Sequence, residues 1–163
     1  MNNNPLSTNE EFSIKYHLYG NLLFRIAIIF LGNKADAEEA VQEAFAKLLY
    51  KAPIFENGEH EKSWMIRVIT NICKNMVRSV WHKRVIKTND IEVYCEAKAD
   101  LLIIESVLKL PVKYKAVIHL YYYEDYSVKQ ISEILKISES AVKMRLKRGR
   151  ELLKFELEDD FYE

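Results

Sequence analysis

Apolar residues recur at helical spacing through most of the chain. Tyr19, Leu22, Leu23, Ile26, Ala27 and Phe30 lie on one face of a helix predicted from about Glu10 to Leu31, and Gly32 and Asn33 break it. A second helix, about Lys34 to Lys51, turns Ala37, Ala40, Val41, Ala44, Phe45 and Leu48 inward, and Pro53 follows its end. After a loop at Phe55–Glu61, a third helix from about Lys62 to Trp81 would bury Met65, Val68, Ile69, Ile72 and Met76. Three such helices can share one core, which predicts a first domain over residues 10–81. The pattern weakens over 82–99, read as a flexible linker, and resumes in a second domain over 100–157. There a helix at Leu101–Leu110 stops before Pro111, and another spans about Val112 to Tyr123. No run alternates convincingly enough for a strand. The expected fold is all-α, two small helical domains joined by a flexible linker.

The stretch SVKQISEILKISESAVKMRLKRGRELLK, Ser127 to Lys154, has the layout of a helix-turn-helix. Ser127 with Gln130 is a capping box, and Ile131 and Leu135 form a stripe that ends near Lys136. Ser138 can cap a second helix with Val142, Leu146, Gly149 and Leu153 inward. Ser140, Lys143, Met144, Lys147, Arg148 and Glu151 are left outside. A helix with a polar, cationic outer face suits a DNA major groove. A solvated face of an ordinary bundle would account for the charge, but not for the compact sequence of cap, turn and cap.

The totals change this picture in one respect. Twenty-four basic and 24 acidic residues cancel over 163 positions, where a free-standing nucleic-acid binder normally carries a basic excess. The charges are nevertheless segregated. Lys62, Arg67, Lys74, Arg78, Lys83, Arg84 and Lys87 run without an acid, whereas Asp36, Glu38, Glu39 and Glu43 run without a base. The end of the chain, after Lys154, is acidic and reads as the fraying tail of the last helix. The polar first nine residues, expected to fray, show no signal-peptide pattern, and the apolar run Ile26–Leu31 is too short to span a bilayer. No membrane insertion is expected. Two cysteines, Cys73 and Cys95, suggest neither a metal quartet nor a disulfide scaffold, so a reduced, cytoplasmic protein is expected. The four histidines, at 17, 60, 82 and 119, are scattered, and no metal, nucleotide or nucleophile motif is visible. Neither catalysis, nor a metal, nor a cofactor is expected.

In order and spacing, the segments of both halves resemble those of bacterial sigma factors of the extracytoplasmic-function group, over about residues 13–155. DAEEAVQEAF (Asp36–Phe45) is similar to the polymerase-binding segment, and WMIRVITNICKN (Trp64–Asn75) to the segment that reads and opens the −10 element. The run from Leu110 to Leu153 is similar to the whole domain that reads the −35 element. The resemblance implies that Asp36, Glu39, Gln42 and Glu43 meet the clamp coiled coil of core RNA polymerase, whose flap is a second contact. It assigns Asn57, Gly58, Glu59 and His60 to a pocket for a flipped −10 base. Asn71, Lys74, Asn75 and Arg78 would touch neighbouring bases and phosphates. Ser138, Ser140, Lys143, Met144, Lys147 and Arg148 would meet the −35 element, with Arg145 and Arg150 on phosphates or on the protein itself. Promoter DNA, core polymerase and an anti-sigma protein are the partners implied. The acidic loop residues Glu56, Glu59 and Glu61 depart from the group, as do Asp125 and Lys136, which stand where glycine is frequent. The alternative is a helix-turn-helix regulator that binds DNA without polymerase.

Overall fold

The computed structural model describes residues 9–79 and 98–162. The expected linker, the frayed start and the last residues of the expected third helix lie outside these. The first domain consists of α1 (Asn9–Leu31), α2 (Lys34–Lys51) and α3 (Gly58–Arg78), each packed on the other two. The second contains α4 (Lys98–Lys109), α5 (Val112–Ile118), α6 (Val128–Leu135) and α7 (Glu139–Tyr162). Among the described residues there is no strand, so the all-α reading holds.

Local chemistry explains the boundaries. Gly32 ends α1 at φ 76°, and its N–H donates to the Ile28 carbonyl. Asn33 caps α2, accepting from the Asp36 N–H at 2.9 Å. The loop predicted at Phe55–Glu61 is shorter than expected. Asn57 is an N-cap whose side chain accepts from the His60 N–H, so α3 begins at Gly58. The buried face of α3 is also displaced from the predicted stripe. Ile66, Thr70 and Cys73 are buried with Met65, Ile69 and Ile72, while Val68 and Met76 are only half-buried. Glu61, expected in the loop, is buried, with its carboxylate accepting from Lys15 and, at 2.7 Å, from Tyr19 Oη. Burial, and then the bond to Glu61, push the Tyr19 phenol far above its ordinary value. Cys73 is a free, buried thiol, also raised by burial.

Beyond α5 the helix widens into a π-turn, His119–Tyr123, which leaves Tyr121, Tyr122 and Tyr123 exposed. Asp125 follows it at φ 57°. Gly149 of α7 sits so close to α5 that an added Cβ would lie 2.9 Å from Ile118 Cγ1.

The two domains pack against each other. Predicted inward positions of α1 fill the first core, but Ile28, Ile29 and Leu31 are buried as well, because α4 and α5 cover this end of the helix. Lys115, 0 % exposed, donates to the Phe30 carbonyl at 3.4 Å, placing a cation at the C-terminal end of α1's dipole. Arg25 forks onto Glu124 with bonds of 3.0 and 3.1 Å. His119 Nε2 approaches the same carboxylate at 3.3 Å, off the line of a good hydrogen bond but close enough to pair when protonated. By composition α1 is long and apolar enough to cross a membrane, yet here half of that window is buried in protein.

Two outcomes follow from this packing. Gly149→Ala should destabilise the chain by about 1–3 kcal/mol, because Ile118 is itself fully buried and must shift; chemical denaturation measures it. Burial would raise the Glu124 pKa, but His119 and then Arg25 outweigh it and hold the carboxyl at about 2, below its ordinary 4.5. The folded value is lowered, so the stabilisation is present above pH 4.5 and is lost as the pH falls toward 2. A carboxyl NMR titration of Glu124, read beside acid unfolding, checks both points.

Candidate nucleic-acid interface

Three polar surfaces meet the sequence expectations to different degrees. On α2, Glu39, Gln42 and Glu43 stand exposed along one side. Glu43 lies 3.5 Å from Lys47, a surface pair too solvated to hold it strongly. Asp36 is different. It is half-buried and accepts from Asn33 Nδ2 at 2.7 Å, closing a reciprocal cap at the helix start. Val41 and Phe45 are core, as expected. Sequence reasoning missed the neighbouring cleft of about 560 Å³, where Tyr16, His17, Gly20 and Phe24 of α1 face Lys34, Glu38 and Gln42 of α2. The one signal was Tyr16, large, exposed and off the core stripe.

The second surface is on α3. Asn57, Gly58, Glu59 and His60, expected as a loop pocket, instead form the N-cap and first turn. The Asn57 carboxamide is occupied as the cap. His60 Nδ1 accepts from the Glu56 N–H at 3.2 Å, while its ring packs edge-on against Phe55. Phe55 in turn meets Trp64, which is half-buried, a boundary tryptophan rather than an open stacking platform. Further along, Asn71, Asn75 and Arg78 are exposed and Lys74 is half-buried. The Lys74 ammonium is lowered from its ordinary value, first by burial and then by the charges of Arg145 and Arg78.

The third surface is the helix-turn-helix, which folds largely as its residues dictate. The Ser127 hydroxyl accepts from the Gln130 N–H at 3.1 Å, and the Gln130 Oε1 accepts from the Ser127 N–H at 2.8 Å. Ile131 and Ile134 anchor α6, and Lys136 makes the turn at φ 54°, a left-handed conformation glycine would adopt at less cost. The Ser138 hydroxyl caps α7 through the Ala141 N–H, leaving its own O–H to donate elsewhere. Val142, Leu146 and Gly149 face inward, and Ser140, Lys143, Met144, Lys147 and Arg148 face out, Met144 at 67 % exposure. Arg148 pairs with Glu151 one turn on, and Arg150 donates to Tyr122 Oη at 3.2 Å. Among the described residues no group of three His, Cys, Asp or Glu is placed to hold a metal. An apolar cleft of about 530 Å³ lies between Ile103 and Val107 of α4, Tyr122, and Leu153 and Leu157 of α7.

Fold and surfaces thus define a two-domain helical protein whose second domain presents a helix-turn-helix. Residues 16–83 match the family model for sigma-70 region 2, and residues 100–153 match that for sigma-70 region 4. The chain is 30 % identical to the extracytoplasmic-function RNA polymerase sigma factor SigW of Bacillus subtilis, over 92 % of this chain and 90 % of that one. It is also 30 % identical to RNA polymerase sigma factor SigV of the same organism, over 82 % and 83 %. Two solved structures share its fold. One is the sigma factor RpoE in complex with the anti-sigma factor NepR from Bartonella quintana (TM-score 0.70, 20 % identity, 91 % of this chain and 98 % of that one). The other is CnrH in complex with the cytosolic domain of CnrY (TM-score 0.68, 21 % identity, 94 % and 92 %). The chain belongs to the extracytoplasmic-function sigma factors of bacterial RNA polymerase. It is accordingly a factor for promoter-specific initiation.

If Lys147 and Arg148 lie on phosphates, replacing both with alanine should flatten the salt dependence of promoter binding. The log–log slope should fall by about 1.8, at 0.9 per lost contact on duplex DNA. Holoenzyme binding measured over a salt series checks this.

Proposed function

We infer that Glu39, Gln42 and Glu43 dock the chain on the clamp coiled coil of core polymerase, and that α3 and α7 then read the −10 and −35 elements. Asp36, tied into its helix cap, supports the docking surface by fixing the start of α2 and contributes its charge from there. Asn71, Lys74, Asn75 and Arg78 take bases and phosphates of the melted strand, where stacking and charge recover the energy spent on opening. The first turn of α3, from Gly58 to His60, borders the position of a flipped base; Asn57 acts through its cap. Lys143, Lys147 and Arg148 face the −35 groove, with Ser138 and Ser140 at its phosphate edge. Met144 offers apolar contact of the kind a thymine methyl accepts. The apolar cleft beside Tyr122 suits an apolar segment such as the flap. On this reading the protein works in the cytoplasm and is no enzyme, and an anti-sigma protein, such as the one named with RpoE, is a further partner.

What carries the reading is the joint presence of an acidic stripe on α2 and an outward cationic face on α7 in a chain of zero net charge. Negative charge gives encounter rate and orientation on a basic protein surface. A stand-alone regulator would have no use for that stripe. Run-off transcription from a promoter library, with core polymerase and with or without the protein, tests the function: initiation no better than core alone would reject it. Replacing Glu39 and Glu43 with lysine should weaken core binding about tenfold or more, the cost of like charge at such a contact. The helical circular dichroism should be unchanged.

A further inference from the structure

The turn that carries Glu59 and His60 is anchored by a charge. From Ala52 to His60 no residue is buried, and the apolar core of α3 begins only at Met65. Between these limits the one buried residue is Glu61, 5 % exposed, an acid at a position where the chain departs from its relatives. Its Oε1 accepts from two residues of α1, the Lys15 ammonium and, at 2.7 Å, Tyr19 Oη. The charge of Glu59 acts on the same phenol, so the exposed acid of the turn lies close to the buried network. Phe55 adds only an edge contact to Trp64, with ring centroids 5.5 Å apart. An apolar side chain at position 61 would bury similar area, but apolar contact has no preferred direction. A carboxylate held by two donors has one. Nor does stability account for the acid, since a buried ion pair is often no more stabilising than apolar groups of the same volume.

We propose that Glu61 is a positioning residue for capture of the unpaired −10 base: held by Lys15 and Tyr19, it sets the direction of the first turn of α3 and with it the places of Glu59 and His60. This inference rests on the reading that the turn borders a flipped base. Glu61 itself touches no DNA, because its side chain, 6 % exposed, is turned into the domain. Its effect passes outward through three bonds. The Glu61 N–H donates to the Asn57 carbonyl at 3.2 Å, and the Asn57 side chain accepts from the His60 N–H at 2.8 Å. His60 Nδ1 in turn accepts from the Glu56 N–H at 3.2 Å. Residues 56–61 therefore move as one piece, and its one buried fixture is the Glu61 carboxylate. A recognition site works only if its groups are held to within about 0.5 Å, which a directional anchor achieves and a sliding one does not.

The test uses holoenzyme made with the full chain and a single-stranded −10 oligonucleotide of the non-template strand, taken from a promoter that the run-off library yields. An abasic site is moved along it one position at a time. With the wild type, loss of the captured base should weaken binding about 5- to 150-fold, as for one stacked base, and more than at its neighbours. The comparison is Lys15→Met with Tyr19→Phe and Glu61→Met, an apolar replacement of the whole network. Its denaturation midpoint and core affinity should stay near those of the wild type. At the captured position, however, its abasic penalty should fall to about twofold or less, while other positions keep theirs. Glu61→Gln, which can still accept both bonds, should retain most of the penalty. A triple variant that keeps the full penalty would overturn the positioning role. Equal shrinkage at every position, the mark of a general loss of structure, would overturn it too. Should circular dichroism show the triple variant unfolded, Tyr19→Phe alone carries the same scan under the same criteria. A wild type with no position more sensitive than the rest sinks the base-capture reading itself, and the role of Glu61 with it.

Discussion

The C-terminal end of α1 has no side that it can turn to water. Ile28, Ile29, Phe30 and Leu31 are consecutive and all buried, a pattern that one helix face cannot produce. Within the first domain, α2 and α3 cover only part of this surface, and α4 and α5 cover the rest. Leaving Ile28, Ile29 and Leu31 in water would cost roughly 4.5–9 kcal/mol at 1.5–3 kcal/mol per side chain. Against this stand the burial of a lysine and a histidine between the domains and the lost freedom of the second domain. The contact that results holds the two domains together through apolar burial, the Arg25–Glu124 pair and the Lys115 bond.

The parts of the fold readable from sequence were those decided by neighbours a turn or two away. Capping boxes, helical stripes and the turn residues of the helix-turn-helix act over three or four positions, so Ser127, Gln130, Lys136 and Ser138 gave the same answer in sequence and in space. The outward set on α7 followed at once from its inward set. Where residues 46 apart decide the outcome, periodicity was silent. Glu61 reads as one more acid before a helix, and only the arrival of Lys15 and Tyr19 makes it a buried carboxylate. The three buried residues beyond the α1 stripe are of the same kind, since the second domain that covers them is far away in sequence.

The candidate site was legible in its charges and less so in its geometry. Asp36 and Asn57 share the residue types of their neighbours, but each is committed to a helix cap, a role that Asn33 or His60 fixes locally. Polar residues at helix starts satisfy orphan amides before they can serve a ligand. The acid-rich start of α3 is explained in the same terms: Glu59 and Glu61 fall in the first turn, where negative charge suits the helix dipole. That departure from relatives is therefore partly structural. Of the two, only Glu59 remains at the surface, because Glu61 is turned into the core.

Zero net charge is then a working property of the chain and follows from how the charge is divided. A protein with an unopposed basic excess would be held on genomic DNA wherever it met phosphate, since nonspecific affinity grows with each counterion released. Here the cations of α3 and α7 are balanced by acids on α2 and along the C-terminal part of α7. Binding both domains to one large enzyme changes that balance without a new contact to DNA, by raising the effective concentration of each reading surface at its element. On the docking proposed for Glu39 and Glu43, it would also bury the acids of α2 against positive protein, removing part of the repulsion they exert on the duplex. On the proposed assignment, specificity for a promoter would in this way be conditional on the polymerase, which sets the spacing of residues that each offer few contacts.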